Sequence, residues 1–337
     1  MRWTPSGRLT NLALFAALVL AFATGAGAVA TGSPRGRWVV VVHGIAAVAL
    51  VLLVPWKSRV VRRGLRRRRP SRWLSLSLAV LVAVTVFGGL GSATGVVRSV
   101  AGVPGVWLHV AAALALVPFA LWHLAARWVR PRRTDLSRRT LLRAGALGAA
   151  STGLYAATAG VVALAALPGA RRRFTGSYEV AAAAMPETIW LDDRVPDIDP
   201  ARWRLVVVDT AGRRELTLGD LAAFGTRLRA TLDCTSGWYA AQDWDGAPVA
   251  ALLRGGAGGA RSLLVHSATG YAIRLPVRDL DRLLLATGAG GRPLSPGHGF
   301  PVRLVAPGRR GFWWVKWVDR IELRAEPWWW QSPFPLS

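Results

Sequence analysis

Five apolar stretches fill the first half of this 337-residue chain, near residues 9–30, 38–56, 73–97, 105–126 and 144–168. Each supplies the roughly 20 residues that an α-helix needs to cross the hydrocarbon core of a bilayer. Backbone groups in that medium must satisfy one another, so each stretch is expected to be a helix. Residues 1–169 hold 21 of the 43 Lys and Arg and a single acid, Asp135, whereas residues 170–337 hold 22 bases and 17 acids. The first half therefore reads as a transmembrane helix bundle. The second reads as a separate domain of ordinary charge balance, long enough to bury its own core.

The bases set an orientation. With the N-terminus cytoplasmic, the inner segments hold Arg2 and Arg8, nine bases from Lys57 to Arg72 and seven from Arg127 to Arg143, while the short outer loops hold only Arg35, Arg37 and Arg98. Eighteen against three follows the positive-inside rule. The expectation is a multi-pass protein of the cytoplasmic membrane with its C-terminal domain outside the cytoplasm. Most of the net charge of +25 then has a topological cause, and no nucleic-acid partner is expected. The single cysteine, Cys234, excludes an intrachain disulfide. Ser137-Arg138-Arg139-Thr140-Leu141-Leu142-Arg143 resembles a twin-arginine export signal, which implies export of a domain already folded around a cofactor. A plain inner cluster of arginines is the other reading.

Three histidines lie in the spans: His43, His109 and His123. Ionisable side chains at that depth are rare and default to function. His43 falls about five residues from the outer end of the second span and His109 about four from the outer end of the fourth, which is what two axial ligands of one b-type haem require. Gly88, Gly89, Gly91 and Gly95 lie at the same depth in the third span, with room for a macrocycle or simply for a close neighbouring helix. His123 follows His109 by 14 residues, about 21 Å further on nearly the same face. That spacing resembles two-haem, four-helix membrane cytochromes of the ferric-reductase and b type. Lys57, not histidine, stands 14 residues after His43. One haem on His43 and His109 is thus expected, with His123 as a haem or quinone ligand. The alternative is a bundle that binds no haem and serves as an anchor only.

After residue 170, strand-like runs at Trp203–Val208, Ser262–His266, Tyr271–Leu275, Val302–Val305 and Trp313–Leu323 alternate with turn residues, with helices expected at Thr217–Phe224 and Val277–Leu285. This is an α+β pattern. Within it lies Thr231-Leu232-Asp233-Cys234-Thr235-Ser236-Gly237-Trp238-Tyr239-Ala240-Ala241-Gln242-Asp243-Trp244-Asp245-Gly246. On its own, a lone cysteine among polar residues is most often a small buried side chain, and no His or Asp in sequence reach would make it a nucleophile. The apolar setting of His266 suggests a core residue.

The cysteine segment is similar to the cysteine motif of the sulfite oxidase superfamily. A second block, His298-Gly299-Phe300-Pro301-Val302-Arg303-Leu304-Val305-Ala306-Pro307-Gly308 through Trp313-Trp314-Val315-Lys316-Trp317-Val318-Asp319-Arg320-Ile321, resembles the superfamily's pterin-binding stretch, in the order the family shows. The resemblance covers roughly residues 180–325. It implies that the N-terminal all-α transmembrane bundle read from the apolar stretches (1–169) is followed by a C-terminal α+β molybdopterin-binding oxidoreductase domain (170–337).

Carried over residue by residue, Cys234 matches the cysteine whose thiolate binds molybdenum and would be the catalytic metal ligand, a soft donor for a metal that changes oxidation state. His298 and Arg303 match two cofactor contacts of the periplasmic methionine sulfoxide reductase branch, where the first is Asn. Arg303 offers a planar fork to a phosphate. Trp314, Val315 and Lys316 match a phosphate- and pterin-contacting turn, and Thr269 a further contact. In sulfite oxidases an Arg-containing polar stretch follows the cysteine. Thr235-Ser236-Gly237-Trp238-Tyr239 has no Arg, which favours a less charged substrate such as a sulfoxide. Arg274, Arg309 and Arg310 are the candidates for a basic pocket built from elsewhere. Trp238 and Tyr239 either line the substrate pocket or pack, and Trp328-Trp329-Trp330 either dock at the membrane interface or pack. The expected activity is oxygen-atom transfer on a small molecule, with electrons exchanged through the haem with quinone or with a redox partner protein. A cofactor-binding electron-transfer protein without turnover is the rival.

Overall fold

A computed structural model describes residues 6–65, 72–126, 129–189 and 194–332. The chain divides into two compact units, Met1–Val29 with Arg35–Gly176, and Ala30–Pro34 with Ser177–Ser337.

The first unit is built on α1 (Gly7–Ala30), α2 (Arg37–Leu65), α3 (Arg72–Thr94), α4 (Gly105–Ala126) and α5 (Arg138–Leu164), with a two-residue hairpin, β1 (Ser99–Val100) and β2 (Val103–Pro104), between α3 and α4. Each expected apolar stretch is one helix, and all five are long and apolar enough to cross a membrane. Val19, Val54, Val80, Phe87, Leu114, Leu121 and Val161 are exposed on them.

Two boundaries differ from the apolar windows. Helix α2 runs to Leu65 and carries Lys57 on its extension, where the ammonium reaches Asn11 Oδ1 at 2.9 Å. Helix α5 begins at Arg138 because Ser137 caps it, its Oγ accepting the Thr140 N–H and satisfying a first-turn donor. The paired arginines thus occupy the first turn of a helix. Asp135, the one acid of this half, pairs with Arg8 at 2.8 Å. Arg2, Arg66, Arg67, Arg68, Arg69 and Arg127 of the inner basic clusters lie outside the described residues.

The second unit contains β3 (Tyr178–Glu179), β4 (Leu205–Asp209), β5 (Gly212–Leu216), β6 (Thr226–Asp233), β7 (Trp238–Pro248), β8 (Ser262–Ser267), β9 (Ala272–Pro276), β10 (Leu284–Ala289), β11 (Arg292–Pro293), β12 (Arg303–Val305) and β13 (Val318–Arg324), with short helices α6 (Leu218–Ala222) and α7 (Val249–Leu252). One sheet runs β11-β10-β7-β3, with β6 also on β7 and β12 also on β10; the other runs β5-β4-β13-β8-β9, in which β4 and β13 are parallel.

Alternation explains β4, where Leu205 and Val207 point inward and their neighbours do not. Strand β8, between β13 and β9, is buried almost throughout, as a central strand is. Residues of both sheets, among them Leu205, Val265, Ile321, Trp244, Leu285 and Leu304, share one core. Each aliphatic member contributes about 1.5–3 kcal/mol by leaving water.

Two expectations change. Val277–Leu285 is not one helix: a 3₁₀ turn covers Val277–Arg282, and Leu284 already begins β10, whose apolar run is buried between β7 and β12. Trp313–Leu323 is not one strand: Gly311–Trp313 is a 3₁₀ turn, and Trp317 adopts a left-handed φ of 53° before β13 begins. The cysteine segment forms a long antiparallel hairpin of β6 and β7. At α6 the expected helix forms, shorter at its end, under a capping box between Thr217 and Asp220.

Candidate functional site

Cys234 sits at the tip of the β6–β7 hairpin. Its N–H donates to Trp238 O at 2.9 Å, and Gly237 N–H donates to Cys234 O at 3.2 Å. Gly237 has φ 93°, a left-handed value that closes a tight hairpin loop and that glycine adopts without strain. The thiol is buried. Its backbone is held from beside as well, since Arg310 Nη2 donates to Cys234 O at 3.1 Å. A side chain at Gly311 would stand 3.1 Å from Cys234 Cα, so glycine there lets the turn after Arg310 lie flat against the cysteine loop. Asp233, also buried, accepts from Ser177 Oγ at 2.7 Å and lies 3.7 Å from Arg310 Nε.

The second block folds into interlocking turns. His298 ends the 3₁₀ turn Pro296–His298, with Ser295 Oγ at 2.8 Å from its Nδ1 and Met185 O at 3.1 Å from its Nε2. Burial and the cations Arg303 and Lys316 hold its pKa below the ordinary imidazole range, against Glu187 and the Met185 carbonyl. Lys316 Nζ donates to Gly297 O and, at 2.7 Å, to Thr188 O. Trp317 donates its indole N–H to Pro296 O at 2.8 Å and accepts the Ala268 N–H at its own carbonyl, also at 2.8 Å. The strained Trp317 backbone thus ties the His298 turn to the β8–β9 turn that holds Thr269, whose Oγ1 bonds Ser267 Oγ at 3.0 Å. Trp314 and Val315 are core residues. The Trp314 indole N–H goes to Arg309 O and the Val315 carbonyl to Leu304 N–H.

Arg303 joins the two blocks. It is buried on β12 with its guanidinium over the faces of Trp244 and Trp314, 5.6 and 5.9 Å from their centroids. Nη1 donates to His298 O at 3.2 Å. Burial pushes its pKa down to about 10, while the adjacent Cys234 acts in the opposite sense, so it stays a cation at neutral pH. Its Nε has no hydrogen-bond partner, and no carboxylate pairs with it, among the described residues. A buried cation left in that state is costly. An acceptor-rich anionic group next to the Cys234 sulfur would relieve that cost, and the pairing of a soft sulfur with a donor-rich cation fits a metal cofactor that carries a phosphate.

The other candidate arginines are each engaged with other partners. Arg309 pairs with Asp279 at 2.6 Å and stacks on Trp313 and Trp328. Arg274 donates to Trp330 O, and Arg310 is committed to the Cys234 loop. His266 is half-buried on β8, 4.0 Å from Glu322. Trp238 is buried, and Trp328 packs on Trp313 while Trp329 and Trp330 stay exposed.

Sequence reasoning missed Thr188 and Glu187. Thr188 bonds Ser236, Trp238 and Lys316 at once, and Glu187 accepts from Ser295 Oγ. Both lie in an irregular segment with no periodicity or motif. The left-handed residue after Lys316 also had no signal, since Trp317 is bulky.

In the first unit, His43 on α2 and His109 on α4 are brought together, ring centroids 5.9 Å apart and planes at 82°. His43 Nδ1 meets Ala21 O at 2.9 Å and His109 Nδ1 meets Thr85 O at 2.8 Å. A carbonyl only accepts, so each Nδ1 carries the proton and each Nε2 keeps its lone pair. Of the four glycines, three lie on α3 and Gly95 just past its end; Gly89 abuts the His109 ring, where an added Cβ would lie 3.0 Å away, Gly88 faces open space and Gly91 faces Val97. His123 lies beside Trp122, near the far end of α4.

Residues 192–331 match the family model of the oxidoreductase molybdopterin binding domain. The mitochondrial sulfite oxidase of Rattus norvegicus is 30% identical over 168 residues, covering 39% of this chain and 31% of that protein. The NADPH nitrate reductase of Mycosarcoma maydis is 53% identical over 47 residues, 13% of this chain and 5% of that protein. Among solved structures, the sulfane dehydrogenase SoxCD of Paracoccus pantotrophus aligns over 39% of this chain and 40% of its own, at 23% identity and a TM-score of 0.35. The chain thus spans less than a third of the length of these curated relatives. Its C-terminal unit carries an oxidoreductase domain of the molybdopterin-binding type.

Proposed function

We propose that this chain, whose C-terminal unit carries a molybdopterin-binding oxidoreductase domain, is a membrane-anchored molybdenum enzyme that transfers an oxygen atom to or from a small substrate. The observation that carries the reading is the buried Arg303 guanidinium, without a carboxylate partner among the described residues, stacked on Trp244 of the hairpin that carries the buried Cys234. Cys234 would hold molybdenum through its thiolate. Arg303, with Lys316, His298 and Thr269 around it, would hold the anionic and polar parts of the cofactor. When bound, the cofactor supplies two-electron oxygen-atom exchange. Cys234 and Arg303 would hold and orient it, and the His298 ring would add a polar contact.

A sulfoxide is favoured over sulfite. Arg309 and Arg310 are paired with Asp279 and Asp233, and Arg274 is bonded to a carbonyl, so none of these three candidates among the described residues is left to support a sulfite dianion. The balanced reaction takes a sulfoxide, two electrons and two protons to a thioether and water. In the membrane unit, His43 and His109 would hold one b-type haem through their Nε2 atoms, and the group would supply one-electron exchange with quinone or a partner protein. His123 is assigned to a quinone headgroup, because its distance along α4 separates it from the His43–His109 pair. The exposed apolar helix faces suit lipid. The placement is multi-pass in the cytoplasmic membrane, N-terminus inside and C-terminal domain outside.

The test is dye-coupled reduction of methionine sulfoxide and dimethyl sulfoxide, set against ferricyanide-coupled sulfite oxidation, with the membrane-bound chain and its Cys234→Ser variant. Sulfoxide turnover that disappears in the folded, exported variant is expected. Equal turnover in both proteins would remove Cys234 from the mechanism, and turnover of sulfite alone would reverse the substrate assignment.

A further inference from the structure

Three side chains lead in a line to the Cys234 sulfur. Trp238 Nε1 lies 3.1 Å from Thr188 Oγ1, Thr188 Oγ1 lies 3.2 Å from Ser236 Oγ, and Ser236 Oγ lies 3.0 Å from Cys234 Sγ. The protons in such a line can be assigned because both ends are one-sided. An indole N–H only donates, so Thr188 Oγ1 accepts from Trp238 and has its own proton to give. A thiolate only accepts, so the Ser236 proton points at the sulfur, and the Thr188 proton then goes to Ser236. Each donor polarises the next in a chain of this kind.

The middle of the line is anchored independently. The Thr188 carbonyl accepts from Lys316 Nζ at 2.7 Å, and Lys316 also donates to Gly297 O. One residue therefore connects the lysine assigned to the cofactor's pterin side with the sulfur assigned to its metal. Trp238 is buried, and its indole has an assigned acceptor, so it belongs to this line and not to the wall of a substrate pocket.

We propose that Ser236 and Thr188 are positioning residues that set the reduction potential of a molybdenum centre bound at Cys234, through a directed relay Trp238 to Thr188 to Ser236 to Cys234 Sγ. This rests on the assignment of Cys234 as the molybdenum ligand. A hydrogen bond to a ligand sulfur draws electron density away from the metal and favours its reduced states. Removing that bond lowers the potential, and removing a bond further up the relay lowers it less.

The experiment is a redox titration of the cofactor-loaded full-length chain, following the Mo(V) electron paramagnetic resonance signal, for wild type, Ser236→Ala, Thr188→Val and Thr188→Ser. Molybdenum content is measured in each. Ser236→Ala is expected to shift the Mo(VI)/Mo(V) midpoint negative by a tenfold change in the one-electron equilibrium, about 59 mV. Thr188→Val should shift it less in the same direction, and Thr188→Ser should match wild type. Unchanged midpoints and signal in fully loaded Ser236→Ala and Thr188→Val would overturn the relay. So would a Thr188→Ser protein as shifted as Thr188→Val, or loss of molybdenum from all three variants, which would mark the segment as structural only. A wild-type chain without molybdenum would instead overturn the cysteine assignment itself.

Discussion

His43 and His109 lie on different helices with their rings 5.9 Å apart, and each gives its Nδ1 proton to a backbone carbonyl of yet another helix, Ala21 O on α1 and Thr85 O on α3. Four helices therefore fix the orientation of two imidazoles. Replacing either histidine with Leu should abolish the reduced b-type absorbance of the detergent-purified chain, whereas His123→Leu should keep it. An unchanged spectrum in His43→Leu would refute the ligand assignment.

Arg303 offers a test that needs no substrate. Its guanidinium is buried between Trp244 and Trp314 beside the cysteine, and a hydrogen bond to a charged group contributes about 1.5–3 kcal/mol. Arg303→Met keeps the length and apolar contacts and removes the donors. The purified variant should retain at least about tenfold less pterin than wild type, the factor that 1.4 kcal/mol represents. Normal pterin content, measured by fluorescence after oxidative release, would show that the phosphate is held elsewhere.

Asp279 is a stability determinant of the C-terminal unit. It is buried between Arg309 and Arg282. Burial tends to raise its pKa, but the two guanidinium groups outweigh that and bring it below its ordinary value of 3.8. A carboxylate with a depressed folded pKa stabilises the fold above the ordinary value, and this contribution fades as pH falls through the folded one. Asp279→Asn should cost about 3 kcal/mol near pH 7, seen as a lower melting temperature, and the gap to wild type should narrow below about pH 4. A gap that persists unchanged at pH 3 would show that the ion pairs are not its source.

Arg138 and Arg139 sit in the first turn of α5, behind a Ser137 cap that does not involve them. A basic helix start on the inner face tolerates lysine, while a twin-arginine signal does not. Arg138→Lys with Arg139→Lys should therefore leave the helices inserted but strand the C-terminal domain in the cytoplasm, as read by protease protection of spheroplasts. Continued protease access from outside would assign the two arginines to topology alone.

The parts legible in sequence are those whose signal is local. Twenty apolar residues make a helix of spanning length, and His43 and His109 could be paired by counting along helices. The cysteine motif and the block around Arg303 were readable because their residues are contiguous. What was not legible depends on contacts between distant segments. Leu284 and Leu285 look helical after Asp279 until β7 and β12 flank them. Trp317 shows no left-handed tendency by type, and bonds to the distant Pro296 and Ala268 help hold it there. Thr188 has no neighbours in sequence that announce a role, because its partners Ser236, Trp238 and Lys316 lie roughly 50 to 130 residues away.

The most direct test of the central claim is the molybdenum content of the full chain, purified in detergent from a host that makes the cofactor and assayed by elemental analysis alongside the protein concentration. The account predicts about one molybdenum per chain, bound where a soft sulfur ligand is available. A chain that is folded, purified from such a host and free of molybdenum would contradict it.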